Sequence, residues 1–551
     1  MRACLAAGMV AVAAVAVAIR GWHLADVPRL TDETAEVLRA VSIVDDHVYP
    51  LSNVDPYIGP HVNYLVAGLF ALFGPDPWLP RMVSLACGVV TVLAAERLAS
   101  AIAQPTDEGH GAAPDPIDSA AGVWAARVGG LVAGVLVAVN PLHVVVNSHV
   151  AWSHATTPLF TAAGLWAVYL GVERRRGAAV AWAGLLFGLA VATHPTAVFV
   201  VAGAGVYALL RGHHLLRTPW PWIAIGLLVL VNAPLLVFNA ITSGSSVTNG
   251  LSVIRDYGHG REGTVGLASY ARSLGRHGQL LEQMLAGPLD LRPPTLEAAV
   301  DPLLLLYAGV SLVSLLTLPR RAWSLLVLPF IGLLCGMAYL NTTKYEPVTD
   351  GRYLAPLVPI VAAAVGCLTS GLLRRARQLT LRVAVGVIAL TFVVAPAVHA
   401  LDYERRFAEA EPGNVEMLAE ARRAAAAARP GEVIVVDLRI NEVAIRSRGP
   451  GDQSLRHRAI QYALGLANVP YIMFPVRLED DRPVLVNDEP GIGRLVVVSA
   501  ETARGRTLGG LRARGLRAPD DGPFETPGSG AGFAVYRVDP PRPGGSRAGQ
   551  P

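Results

Sequence analysis

"HVNYLVAGLFALF", residues 61–73, decides how the chain threads a bilayer. It is apolar but only 13 residues long, and a helix needs roughly 17–25 residues to cross the hydrocarbon core. Segments of this length lie in the interface or re-enter. Counting it as a crossing, or not, moves every later loop to the other side of the membrane. The remaining apolar runs are 3–20, 78–101, 124–142, 155–172, 178–193, 196–210, 220–239, 302–318, 323–340, 353–373 and 382–400, which makes 11.

Positive charge arbitrates, because Arg-rich flanks stay on the cytoplasmic side. The clusters are "ERRR" (173–176), "RGHHLLR" (211–217), "PRR" (319–321) and "LRRARQLTLR" (373–382). With 11 spans and the N-terminus inside, all four fall in the cytoplasm. A twelfth span at 61–73 would put all four outside. The charges therefore favour an interfacial 61–73. Outward segments are then 21–77, the turns at 143–154 and 194–195, the loops 240–301 and 341–352, and everything after 400. The loop 240–301 carries five Arg (255, 261, 272, 276 and 292), at about the 60-residue length where the charge rule weakens.

The whole composition agrees with a polytopic membrane protein. The chain has 551 residues, 52% hydrophobic and 16% charged, where soluble domains carry about 25% charge. The alternating pattern of a transmembrane barrel is absent, which leaves helices to satisfy the buried backbone. A net charge of +4 gives no footprint for nucleic acid. Of 46 basic residues one is Lys, Lys344, and 45 are Arg, a bias that reads as GC-rich coding. Cys4, Cys87, Cys335 and Cys367 lie in apolar runs and form neither a disulfide framework nor a metal knuckle. Residues 3–19 after Arg2 are expected to be an uncleaved first span rather than a signal peptide.

The tail changes character. "VIVVD" (433–437), "YIMFPV" (471–476), "LVVVS" (495–499) and "FAVYRV" (533–538) predict strands. Helical stretches are expected in "EARRAAAAARPGE" and near 454–465 and 501–514. The expected organisation is a transmembrane domain over 1–400, a soluble extracytoplasmic α/β domain over 401–540, and a disordered end over 541–551. The fold class is mainly α.

Within the first outward segment, "RLTDETAEVLRA" (29–40) places Asp32 and Glu33 just beyond the first span. Thr31 is a candidate helix cap, and Val37, Leu38, Val41 and Val44 recur on one face, so the helix can lie on the membrane surface. Acids in a first helical turn also favour the positive end of the macrodipole, which is the simpler reading of the pair.

Downstream, "P-x-x-x-Y-L…LFG" ends the interfacial segment and "R-x-x-S…G…V" opens the next span. "NPLHVVVNSHVAWSHATTPLF" (140–160), "GLLFGLAVATHPTAVFVV" (184–201) and "DGRYLAPLVPIVAAAV" (350–365) follow in order. With the acidic pair, these resemble the polyprenyl-phosphate-sugar-dependent glycosyltransferases of the GT-C superfamily. That group includes the protein O-mannosyltransferases and the aminoarabinose transferases of lipid A. The resemblance covers roughly residues 1–400. It implies a GT-C fold in a bacterial plasma membrane. It also implies transfer of one sugar, with inversion, from a polyprenyl-phosphate carrier to a hydroxyl of a cell-wall glycan, lipid or protein on the outer face. Asp32 matches the family's first acidic position and becomes the candidate base, with Glu33 its partner. The chain departs from the family where many members carry a second acid. Residues 141–163 hold no Asp or Glu, His154 stands near that position, and His149 stands where the family often has Arg. A two-carboxylate mechanism, an altered substrate and a reduced activity all stay open.

Such a transfer needs a base at the aqueous edge, cations for the departing phosphate and an apolar groove for the lipid. Arg352 and Lys344 are the candidate phosphate ligands, flanked by Tyr353 and Tyr345. Arg suits phosphate through its planar fork of donors. An interfacial anchor that snorkels at a span end is the alternative for both cations. His61, Tyr64, His154 and His194 are further candidates to line the substrate site. No metal or other cofactor is expected, since no H-x-x-x-H spacing occurs in these turns. A transporter for lipid-linked sugars is the main alternative, though no inverted repeat is visible and the ionisable residues gather at the outer edge. A catalytically silent scaffold of the same fold is another.

Overall fold

The computed structural model describes residues 2–24, 31–104, 116–255, 266–286, 302–340, 351–376 and 378–410. Further on it describes 432–437, 465–466, 471–474, 476–479, 482–485, 494–500 and 533–538. The chain divides into two compact units. One comprises Met1–Leu24, Val48–Val66 and Pro80–Arg406, the other Ala25–His47, Ala67–Leu79 and Phe407–Pro551.

The first unit is helical. Trp78–Ala103, Ala120–Val139, Ser153–Val172, Ala322–Leu340 and Leu357–Arg375 are long and apolar enough to cross a membrane. Ala6–Gly21, Gly177–Thr193 and Ala197–Arg211 are shorter apolar helices. Small residues let these helices approach closely, as packing in lipid requires. Gly129 and Gly366 face each other's backbone where Pro116–Val139 crosses Leu357–Arg375, and a Cβ on either would collide. Gly203 likewise sits against the backbone of Pro329.

Two helices differ from expectation. The run 220–239 is not one rod: Trp220–Val231 and Ala233–Ile241 meet at a 54° bend. Pro234 lacks an N–H to continue the ladder, and Asn232 fills the break by donating to the carbonyls of Gly188 (3.1 Å) and Leu228 (2.9 Å). The last helix does not stop near 400. Leu379–Ala410 runs through "LDYERRF", which carries Glu404 into the helical unit.

In the second unit the helix Thr31–Asp45 buries one half of its circumference: Glu33, Thr34, Glu36, Val37, Ala40, Val41 and Ile43 are enclosed, so two acids share the buried face with the apolar residues. The strands of the tail are β1 (Glu432–Asp437), β2 (Tyr471–Phe474), β3 (Val476–Glu479), β4 (Arg482–Leu485), β5 (Arg494–Ala500) and β6 (Phe533–Val538). Four form a sheet in the order β2-β1-β5-β6. β1 runs parallel to β2 and β5, with Ile434 opposite Tyr471 and Val496, while β6 is antiparallel to β5. The continuous apolar runs of β1 and β5 suit strands covered on both faces. β3 and β4 form a hairpin that the charged sequence "VRLEDDRPVL" concealed. The expected helices of the tail, apart from residues 465–466, and the end at 541–551 lie outside the described residues.

Candidate functional site

The turn between Val139 and Thr157 builds one wall. Asn140 caps Pro141–Val146 by accepting from the His143 N–H, and Pro141 supplies the fixed φ that a first helical turn favours. The same Asn140 donates to the carbonyls of Met284 (2.8 Å) and Leu285 (3.1 Å), which fixes the end of helix Leu267–Ala286 beside it. The chain then returns through Trp152 and a 3-10 turn, Ser153–Thr156, and every residue from Asn140 to Thr157 is buried.

Four sequence candidates meet here. The His154 and His194 rings lie 3.7 Å apart, tilted by 35°. Tyr353 stands edge-on to His154 at 5.4 Å and 5.2 Å from His194. The Arg352 guanidinium lies over Trp152 at 4.5 Å and over Tyr353 at 4.8 Å, within cation–π range, and donates to the Tyr353 hydroxyl at 2.9 Å. A hydrogen bond between the hydroxyls of Thr157 and Thr193 (2.9 Å) holds the two helix ends together and sets the stacking of the histidines.

The protonation of the pair follows from its partners. The Thr196 N–H donates to Nδ1 of His194, which places the neutral ring's proton on Nε2. Burial, and then the charge of Arg352, hold His194 well below the usual histidine range. Both ring nitrogens of His154 are buried and make no hydrogen bond among the described residues. Buried polar atoms without partners are costly, and a ligand would relieve that cost.

The other candidates stand apart from this cluster or outside view. His61 Nε2 donates to the Val231 carbonyl at 3.0 Å, and the Tyr64 hydroxyl donates to the Pro50 carbonyl at 3.0 Å. Lys344 and Tyr345 lie outside the described residues, as does the side chain of Asp32. Asp32 itself occupies the first turn of Thr31–Asp45, followed by Glu33, 2% exposed, and Glu36, 8% exposed. Glu36 was not singled out from sequence, although it shares the helix with the pair. Among the described residues no group of three or more His, Cys, Asp or Glu is arranged to hold a metal.

A second buried polar network was invisible in the sequence. Arg20 ends the first helix and donates to the carbonyls of Ala138 (2.7 Å) and Val137 (3.0 Å) and to Nδ1 of His143 (2.8 Å). Arg81 donates to the Leu24 carbonyl at 2.7 Å. His149 Nε2 donates to the Trp22 carbonyl at 2.7 Å and lies 3.5 Å from Glu404 Oε1. Arg20, Arg81, His143, His149 and Glu404 are each at most 1% exposed.

The sequence pattern of the dolichyl-phosphate-mannose-protein mannosyltransferases matches residues 121–238, the stretch that holds His154 and His194. Over 96% of the chain the structure superposes on 97% of ArnT from Cupriavidus metallidurans bound to undecaprenyl phosphate, with TM-score 0.59 and 13% identity. Its fold is that of ArnT. The apo form of the same ArnT superposes over the same shares of both chains, with TM-score 0.54 and 13% identity. No curated protein matches the sequence significantly. The mannosyltransferase match over 121–238 and the ArnT fold do not favour the transporter alternative.

Proposed function

We propose that this GT-C chain transfers one sugar from a polyprenyl-phosphate carrier to a hydroxyl on the outer face of a bacterial plasma membrane. The observation that carries this reading is the cluster of Arg352, Trp152, Tyr353, His154 and His194. It offers a fixed cation, aromatic walls and a buried imidazole with two open nitrogens. The turn that forms it, 141–163, has no Asp or Glu to repel an anion. These features suit a lipid-linked phosphate.

Asp32 is the proposed base. It takes the proton of the acceptor hydroxyl as that oxygen attacks the anomeric carbon. The bond from that carbon to the phosphate oxygen breaks, and its electron pair leaves with the polyprenyl phosphate. One displacement inverts the anomeric centre. Glu33 orients Asp32 or shares its role. Arg352 stabilises the negative charge that grows on the phosphate, where a preorganised cation acts most strongly. Tyr353, His154 and His194 bind the substrate with Arg352, and Lys344, Tyr345, His61 and Tyr64 are further proposed substrate-binding residues.

The proposed topology has 11 spans with the N-terminus inside. The tail, 401–540, is then an extracytoplasmic α/β domain that contributes to acceptor binding. The acceptor classes are a cell-wall glycan, a lipid or a protein. The test is reconstitution in vesicles with tritium-labelled undecaprenyl-phosphate mannose and arabinose. Release of label from the lipid that Arg352→Ala slows supports the reading, whereas passage of intact lipid-linked sugar across the bilayer without cleavage makes the protein a transporter.

A further inference from the structure

Two turns of the helical unit form a charged surface that the transfer chemistry does not use. One joins the helix Thr157–Val172 to Gly177–Thr193, and the other joins Ala197–Arg211 to Trp220–Val231. They pack against each other. The Tyr207 hydroxyl donates to Glu173 Oε1 at 3.0 Å, and Arg211 Nε donates to the same oxygen at 3.3 Å. Gly212 lies against Val172, and a Cβ on Gly177 would strike the Trp220 ring. The surface is remote from the histidine pair. His154 stands just before Thr157 and His194 just after Thr193, so both helices carry the pair at one end and these turns at the other. The 16 residues of Thr157–Val172 put about 24 Å between the two, at 1.5 Å per residue.

The charge here is nearly all of one sign. Arg174, Arg175, Arg176, Arg211 and Arg217 share residues 172–223 with a single acid, Glu173. That acid is taken: its side chain is 10% exposed and holds Tyr207 and Arg211. Arg175, Arg176 and Arg217 are exposed. Arg175 has a φ of 50°, in the left-handed region that glycine or asparagine adopts most readily. An arginine kept in that conformation carries strain, and such strain gathers where a chain binds something. Around the cations the surface turns aromatic. Trp182 and Trp222 are 61% and 63% exposed. They lie close to the ends of Gly177–Thr193 and Trp220–Val231, the depth at which tryptophan gathers between headgroups and hydrocarbon. Beyond them, no residue of Trp220–Val231 or Ala233–Ile241 is buried. Snorkelling explains an isolated arginine at a helix end. Here Glu173 ties two turns into one basic platform beside an open apolar helix. Guanidinium forks suit phosphate, and the helix suits an acyl chain.

We propose that the two turns bind the phosphate of an anionic phospholipid of the surrounding bilayer, with its acyl chains along Trp220–Val231. Basic surfaces between membrane helices take such headgroups. The site is separate from that of the sugar donor and does not depend on the transfer reaction.

The full-length protein, purified in detergent, is titrated with phosphatidylglycerol or phosphatidylcholine, and bound lipid is counted by native mass spectrometry. Wild type is expected to bind phosphatidylglycerol more tightly. Arg175→Gln combined with Arg217→Gln, one substitution in each turn, should weaken that binding by about 25-fold, roughly fivefold for each arginine lost. Binding of phosphatidylcholine should not change. Arg320→Gln combined with Arg375→Gln removes two exposed arginines from other helix ends and should keep the preference. Melting temperatures in phosphatidylcholine nanodiscs should equal wild type for both pairs. Full phosphatidylglycerol affinity in the Arg175 and Arg217 pair would overturn the site. An equal loss in the control pair would overturn it too, since it means diffuse attraction to positive charge. Loss of binding together with a lower melting temperature would assign the two arginines to folding instead. Displacement of the lipid by an equal concentration of glycerol 3-phosphate would make a free phosphate compound the occupant and overturn the lipid assignment.

Discussion

The two units solve opposite electrostatic problems. The helical unit gathers one guanidinium and two uncharged imidazoles behind aromatic rings, in a turn without acids. The smaller unit buries a helix that begins with Asp32 and encloses Glu33 and Glu36. A transfer reaction needs both kinds of group, a cation for the leaving phosphate and an ionised carboxylate to take the acceptor's proton. Each unit can then be broken on its own, and the kinetic signatures should differ.

The largest effect is expected from the acidic helix. Asp32→Asn keeps size and removes the base, so kcat should fall by about 10²-fold or more, the usual scale of base catalysis. Binding of undecaprenyl phosphate, measured on the purified protein, should persist. A variant that turns over near the wild-type rate would move the role to Glu33.

Arg352 should show the reverse signature. Arg352→Ala removes charge and fork together and should weaken undecaprenyl-phosphate binding by about 10-fold or more, given the strength of charge-assisted hydrogen bonds. Arg352→Lys keeps the charge but loses the paired donors and the stacking on Trp152, and should fall between the two. Full restoration by Lys would mark a snorkelling anchor instead.

A third probe strikes the packing of the smaller unit. A Cβ on Gly465 would run into the Leu38 side chain, on the helix of Asp32. Gly465→Val should therefore destabilise by about 1–3 kcal/mol, the cost of overpacking. Its kcat should drop while undecaprenyl-phosphate affinity, which belongs to the other unit, stays near normal. Thermal denaturation alongside both assays checks the separation.

The last probe concerns pH. Glu404 lies at about 9 in the folded protein, against roughly 4.3 for an unperturbed glutamate. The folded state thus binds a proton that the unfolded state has released, so this group's contribution to stability falls as pH rises between those values. Glu404→Gln removes that dependence. Its melting temperature should match wild type near pH 4.5 and exceed it by pH 8, by a margin that widens steadily between. An unchanged margin across that range would show that the carboxyl is not held protonated.

Much of the helical unit was legible because apolar length and Arg placement are blunt signals. Expected spans at 78–101 and 353–373 emerge as Trp78–Ala103 and Leu357–Arg375. The break at Asn232 was missed since hydropathy does not sense one proline within an otherwise apolar run. The four strands of the larger sheet were read from apolar runs, whereas β3 and β4 are interrupted by charges. At the site, His154, His194, Arg352 and Tyr353 were each visible as polar residues at outer span ends. Their meeting was not, because it depends on helix crossings set by residues such as Gly129 and Gly366. Trp152 looked like one more apolar residue. Glu404 sat in "LDYERR", which reads as the first polar stretch after a span, and nothing in that pattern says that the helix continues and turns one acid inward.

The contact between Leu38 and Gly465 also sets a clock. More than four hundred residues separate these two positions in the chain. At about 5–20 residues per second, the ribosome needs some tens of seconds to go from one to the other. The helix of Asp32 leaves the ribosome among the first segments and waits for one of the last to complete its packing. A nascent chain inserted in the membrane therefore carries the residues of its proposed anion site well before its acidic helix is seated. Premature termination between residues 354 and 465 would leave a chain with the residues of the first and without the packing of the second.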